Sequence, residues 1–97
     1  MKTLLCTAVV VAAALLCGIA LAQERRIAFK EGAGLQALQG NCASCHSLDY
    51  IVLNSPFLDR AGWDAEVKKM VNAFGAPISA EDQKAITDYL ATNYAKP

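Results

Sequence analysis

The segment Cys42-Ala43-Ser44-Cys45-His46 is what most narrows the structures open to this chain. It gathers the only histidine, and beyond residue 22 the only cysteines, into five positions. A cysteine pair at this spacing serves as a redox dithiol or as part of a zinc site, and with a histidine directly after it as an attachment point for haem. The surrounding sequence has to decide among the three.

The beginning of the chain decides the compartment. Lys2 precedes an uncharged run of apolar and small residues from Leu4 to Ala22, which ends in the small-x-small tripeptide Ala20-Leu21-Ala22. A positive start, an apolar centre and such a tripeptide make residues 1–22 a secretory signal peptide, with cleavage expected after Ala22. The alternative is an uncleaved membrane anchor, since the run has about the spanning length of 20 residues. Polar residues follow Ala22 at once and favour cleavage, after which no membrane span remains. A lipid anchor on Cys17 is disfavoured by the bulky Leu16 before it.

Cleavage leaves 75 residues, 23–97, with two cysteines and a single methionine, Met70. Eight Lys and Arg face nine Asp and Glu there, a balance that argues against nucleic acid and against a strongly basic membrane surface. A domain this small has a modest core and needs a further staple. A disulfide between Cys42 and Cys45 would close a tiny loop and stabilise little, so the expected staple is a cofactor.

Periodicity predicts an all-α domain over residues 32–97, with about three main helices. Residues 23–31, Gln-Glu-Arg-Arg-Ile-Ala-Phe-Lys-Glu, form an extended arm in which Ile27 and Phe29 alternate. Leu35, Leu38, Cys42 and Cys45 share a helical face and predict a first helix from about Ala33 to Cys45. Gly32, Gly34 and Gly40 weaken it, at about 1 kcal/mol for each glycine against alanine. Ser47 to Gly62 carries turn chemistry around Asn54-Ser55-Pro56 and Asp59-Arg60-Ala61-Gly62, with room for a short helical turn. Trp63, Val67, Met70, Val71 and Phe74 then predict a second amphipathic helix, stopped by Gly75 and Pro77. Ser79 followed by Glu81 and Asp82 caps a third, Ala80 to Tyr94, whose buried stripe is Ile86, Tyr89, Leu90 and Tyr94.

In this context the cysteine pair has one good use. A thioredoxin-like dithiol requires βαβ surroundings, which a helical chain lacks. Zinc in a structural site takes four nitrogen or sulfur ligands, and three within five residues hardly close a tetrahedron. Haem c fits: on a helical turn the two thiols lie on one face, each able to add to one vinyl group, and His46 projects toward the iron. The porphyrin also supplies apolar mass that 75 residues lack.

For the second axial position Met70 is the best remaining ligand. The competing readings are Lys68 or Lys69, an open position, or a methionine that merely fills a core gap. Histidine with methionine raises the reduction potential and leaves no place for substrate on the metal, which points to electron transfer. The Pro56 carbonyl, or the one before it, is positioned in sequence to accept from the His46 ring. Arg60, Trp63 and Tyr50 carry donors for haem propionates, against plainer roles as a surface guanidinium, a core indole and a core phenol.

The motifs "CHSLDYI", "NSPF", a tryptophan leading "EVKKM", "FGAPI" and a terminal "ITDYLATNY" resemble the cytochrome subunit of bacterial sulfite dehydrogenases. The resemblance spans about 50 of the 75 residues. It implies a small class I-like cytochrome c fold, with Cys42 and Cys45 as thioether attachments and His46 and Met70 as iron ligands. It implies a periplasmic partner, a molybdenum-cofactor subunit that oxidises sulfite, and a soluble cytochrome c as electron acceptor. The chain itself would then hold no catalytic residue. In such a fold the first and last helices cross closely, and Gly34 and Leu38 against Leu90 and Tyr94 would suit that crossing. The arm 23–31 matches nothing in the family; it either lies along the molybdenum subunit or is a disordered terminus.

Two rival functions remain. A free monohaem shuttle relies on charge steering, for which this chain lacks a pronounced charge excess. A haem-based sensor requires Met70 to leave the iron for a small ligand.

Overall fold

The computed structural model describes the backbone of residues 1–20 and 27–97, with the side chains of 1–13 and 27–97. The described residues form five helices and no strand, so the all-α expectation holds. The helices are α1 (Lys2–Ala20), α2 (Leu35–Cys42), α3 (Asp49–Asn54), α4 (Arg60–Asn72) and α5 (Ala80–Asn93). The expected cleavage site, the Cys17 side chain and residues 23–26 of the arm lie outside the described residues.

Helix α2 is shorter than the predicted Ala33–Cys45 span at both ends. At its start Gly34 adopts φ 95°, a left-handed conformation that only glycine takes without strain. At its end the Ser44 hydroxyl donates to the Asn41 carbonyl at 3.3 Å, a local bond that competes with the helical ladder. Cys42 therefore closes the helix, while Cys45 and His46 sit in the turn beyond it.

The stretch read as mostly loop contains α3, entered through the Asp49 amide donating to Ser47 Oγ at 3.2 Å. Helix α4 begins three residues before Trp63, because Asp59 caps it: its carboxylate accepts from the Gly62 amide at 2.9 Å. That amide holds the Asp59 carboxyl below its ordinary range. Gly75, at φ 71°, ends the predicted run where expected, and the Gly75 and Ala76 amides donate back to the Val71 and Met70 carbonyls. Helix α5 has the predicted cap, with Ser79 Oγ accepting from the Asp82 amide at 3.1 Å.

The core forms where α2 and α4 each pack on α5. Trp63, Tyr89, Leu38 and Ile86 are its fully buried side chains, joined by Leu35, Ile51, Val67, Ile78 and Leu90. The expected close approach of first and last helices occurs at Gly34, one turn earlier on α5 than Leu90 and Tyr94. A Cβ there would lie 2.4 Å from the Ala85 carbonyl oxygen and 2.9 Å from Tyr89 Cβ.

The described part of the arm is held against the end of α5, with Ala28 and Lys30 still exposed. Phe29 packs edge-on against Tyr94, with ring centres 5.9 Å apart. The Lys30 amide donates to the Tyr94 hydroxyl at 3.1 Å, and Lys30 Nζ to the Asn93 carbonyl at 2.8 Å. Tyr89 completes the clasp by donating its hydroxyl to the Lys30 carbonyl at 2.5 Å.

Burial, with Tyr94 beside it, pushes the Tyr89 phenol up to about 12 from an ordinary 10.0. The folded state thus favours the neutral phenol. That contribution is fully present below pH 10 and is lost as pH climbs from 10 toward 12. Urea midpoints at pH 8 and pH 11.5 should fall more steeply with pH for the natural chain than for Tyr89→Phe. The variant should be about 1 kcal/mol weaker at pH 8, having lost the bond to Lys30. Equal slopes would rule out Tyr89 as the titrating group.

Candidate haem-attachment site

The site grows from the C-terminal end of α2. Cys42, the last residue of that helix, is half-buried and packs against the core. Cys45, three residues on, is exposed, and neither cysteine is in a disulfide. Burial, with Cys45 adjacent, pushes the Cys42 thiol above its ordinary value, so it is held as a thiol at neutral pH. A free thiol at the last residue of α2 and a second in the turn just beyond it are the groups that thioether attachment would use.

His46 follows directly and is exposed. Its Nδ1 lies 2.8 Å from the Ser47 carbonyl oxygen. A carbonyl only accepts, so Nδ1 carries the proton in this pairing, and in the neutral ring the Nε2 lone pair is left open. That is the form in which imidazole ligates a metal. The acceptor at the ring in this structure is Ser47, whereas the sequence points to the carbonyl of Pro56 or the one before it as partner of a metal-bound ring. The short turn into α3 brings the neighbouring carbonyl to the ring first, and Pro56 itself is exposed.

Met70 lies in the last turn of α4, half-buried. Trp63, Val67 and Val71 from the same predicted stripe belong to the core or pack on it, whereas Met70 stands outside that set. Phe74 has left it altogether and is 72% exposed. A gap-filling role for the Met70 thioether is thus not what the packing gives. Lys68 and Lys69, the rival ligands, are engaged with Asp64 at 2.6 Å and Glu66 at 2.8 Å.

The propionate candidates divide. Trp63 is 1% exposed and donates its indole N–H to the Tyr94 carbonyl at 3.0 Å, which gives it the core role. The Arg60 guanidinium pairs with Asp88 on α5 at 2.7 Å, in a solvated network that includes Lys84. Tyr50 keeps a partly open ring on α3, and burial together with the Glu66 carboxylate pushes its phenol up. Glu66 Oε2 is buried with no hydrogen-bond partner, although Oε1 takes Lys69.

The sequence reading missed how much apolar surface this region leaves uncovered. Within residues 27–97 the exposed large apolar side chains are Tyr50, Val52, Leu53, Phe57 and Phe74. All five fall between His46 and Gly75, and α2 and α5 contribute none. Leu53 and Phe57 are 70% and 71% exposed. The sequence clue was Phe57 in the Asn54-Ser55-Pro56-Phe57 turn, a large apolar residue where a turn wants polar ones.

Two shallow grooves lie elsewhere. The larger, about 390 Å³ between α4 and α5, is lined by the ion-paired Arg60, Asp64, Lys68, Lys84 and Asp88 and holds none of the thiol, imidazole or thioether groups. Among the described residues no group of three or more His, Cys, Asp and Glu side chains is placed to hold a metal ion directly. The thiols at 42 and 45, the imidazole with Nε2 open and the thioether outside the core are the donor types a c-type haem would use, and the exposed apolar side chains lie between them along the sequence. Compared with known protein families and with curated proteins, the chain matches no family model and no curated sequence.

Proposed function

We propose that this chain is an exported c-type cytochrome that transfers single electrons and is not catalytic alone. One observation carries the reading: the large apolar side chains that residues 27–97 leave in water all belong to the segment that begins at Cys-x-x-Cys-His and ends just past Met70. Leaving three such side chains about 70% exposed forfeits roughly 1.5–3 kcal/mol each relative to full burial. A porphyrin face offers the cover.

Cys42 and Cys45 would hold haem c through thioethers, and His46 and Met70 would ligate its iron, in a small class I-like cytochrome fold. Bound there, the iron supplies a one-electron couple. The chain's part is to hold Nε2 of His46 open through the Ser47 bond, to keep the Met70 thioether off the core, and to exclude water with Leu53, Phe57 and Phe74. Residues 1–22 would direct export to the periplasm and be removed after Ala22.

As to partners, the resemblance supports a place as the haem subunit of a molybdenum sulfite dehydrogenase that passes electrons to a soluble cytochrome c. The charge arrangement agrees with a stable partner rather than a steered shuttle. Arg60, Lys68, Lys69, Lys84 and Lys96 each lie within 4 Å of an acidic partner, so no basic patch stands uncompensated among them.

Production with a haem-attachment machinery in an exporting host tests the reading. The expected product is red, keeps its haem in denaturing gels, and shows a low-spin ferric spectrum with a weak sulfur-to-iron band near the red end. A colourless chain with two free thiols would overturn the proposal, and a high-spin spectrum would remove Met70 from it. Carbon monoxide binding to the reduced protein at neutral pH would favour a sensor. Copurification with sulfite-dependent cytochrome c reduction would favour the subunit over the shuttle.

A further inference from the structure

We infer that Asn41 is the positioning residue for the cysteine turn: its side-chain amide ties the end of α2 to the first turn of α5 and so sets how Cys42 and Cys45 are presented. The purpose of that presentation rests on the haem-attachment reading, but the tie itself does not.

Asn41 immediately precedes Cys42 and is half-buried. Its Nδ2 donates to the Ala37 carbonyl on its own helix at 2.8 Å and to Asp82 Oδ2 on α5 at 3.1 Å. A side-chain amide nitrogen has two hydrogens, and both are used. The two partners are acceptors only, one of them a carboxylate, so the amide cannot be turned round without setting its oxygen against both. Asp82 is itself anchored, since its backbone amide donates to Ser79 Oγ at 3.1 Å. A continuous chain of bonds thus runs from the cap of α5 through Asp82 to Asn41, the residue beside Cys42.

The consequence is an asymmetry between the thiols. Cys42, next to the tie, packs on the core, whereas Cys45, beyond the helix end, is exposed. Attachment at two vinyl groups needs the thiols held at a fixed separation, and the turn carrying Cys45 has only short local bonds of its own. The Asn41 tie is the bond from this region that crosses to another helix. Aspartate at position 41 would place a carboxylate against the Asp82 carboxylate and the Ala37 carbonyl, and the end of α2 would part from α5.

The test labels the reduced, haem-free full chain with a neutral maleimide and follows each cysteine by peptide mass spectrometry. In the natural chain Cys42 should label at least about tenfold more slowly than Cys45, as its packing requires. Asn41→Asp should bring it within about threefold of Cys45. Asp82→Ala should do the same without a charge clash, since the Ser79 cap uses only the backbone of residue 82. The exchanged pair Asn41→Asp with Asp82→Asn should restore slow labelling in part, the new amide donating the other way across to α5 while the Ala37 carbonyl stays without its donor. A second readout is the fraction of haem joined through one cysteine only in an exporting host, which should rise in both single variants. If both single variants keep Cys42 labelling within about twofold of the natural chain, or if the exchanged pair does no better than Asn41→Asp, the inference is overturned. If the natural chain takes no haem at all, the haem reading falls, and the labelling rates alone still decide the role of Asn41.

Discussion

Gly34→Ala should remove most of the protein's stability. Two independent penalties meet at that position. The backbone stands at φ 95°, where a side chain costs about 1–2 kcal/mol. The new Cβ would also sit 2.4 Å from the Ala85 carbonyl oxygen, a backbone atom of α5 that has no rotamer to turn aside. Relieving that contact means prising α2 from α5, an overpacking cost of about 1–3 kcal/mol. The total, on the order of 2–5 kcal/mol, compares with roughly 5 kcal/mol of stability for a domain of this size. Gly40→Ala is the matched control, because Gly40 lies inside α2 and nothing stands within 4 Å of the place its new methyl group would take. It should gain about 0.5–1 kcal/mol from the helical preference of alanine. Urea unfolding of the two variants should therefore move the midpoint in opposite directions. A loss below about 1 kcal/mol at Gly34 would mean that the helices do not cross as closely as described.

The contrast between these two glycines shows what the sequence can and cannot express. Both count alike against a helix in a local reading. Only the tertiary approach of α5 separates them, making Gly34 indispensable and Gly40 replaceable. Local chemistry was legible wherever it was sufficient: Ser79 capping α5, Gly75 ending the α4 run, and Ile86, Tyr89 and Leu90 facing inward. Asp59 was local too, but Asp-Arg-Ala-Gly serves a turn and a helix start equally, and the Gly62 amide makes it the latter.

What escaped depends on contacts across long stretches of chain. The arm alternates Ile27 and Phe29 as a strand would, yet it is fixed by Tyr89, Asn93 and Tyr94, some sixty positions away. Trp63 carries a donor suited to a propionate, and only the fold shows that the Tyr94 carbonyl already takes it. In the candidate site, Cys42, Cys45 and His46 were legible because the motif is contiguous. Ser47 as the His46 acceptor and Asn41 as the tie to Asp82 were not, since neither residue type announces its partner.

The two ends of the site should fail in different ways, and that difference is the second large effect expected. Replacing both Cys42 and Cys45 by serine should abolish covalent haem altogether, because a hydroxyl does not form the thioether, while the helices of the haem-free chain persist. Met70→Leu should leave attachment intact, since the thioether of Met70 takes no part in it and leucine preserves volume within about 1.5 kcal/mol. Its effect belongs to the iron. The weak red-end band should vanish, the ferric spectrum should turn high-spin, and the reduced protein should bind carbon monoxide. The reduction potential should fall by an amount on the order of 0.1 V, a modest share of the roughly 0.8 V that axial ligands span. Lys68→Ala and Lys69→Ala, which remove the rival ligands and break an exposed ion pair and a pair with the partly buried Glu66, should change neither spectrum nor potential. If Lys69→Ala rather than Met70→Leu altered the spectrum, the thioether would have to yield its place. Such an outcome would also reinterpret Glu66, whose Oε1 now accepts from the Lys69 ammonium at 2.8 Å.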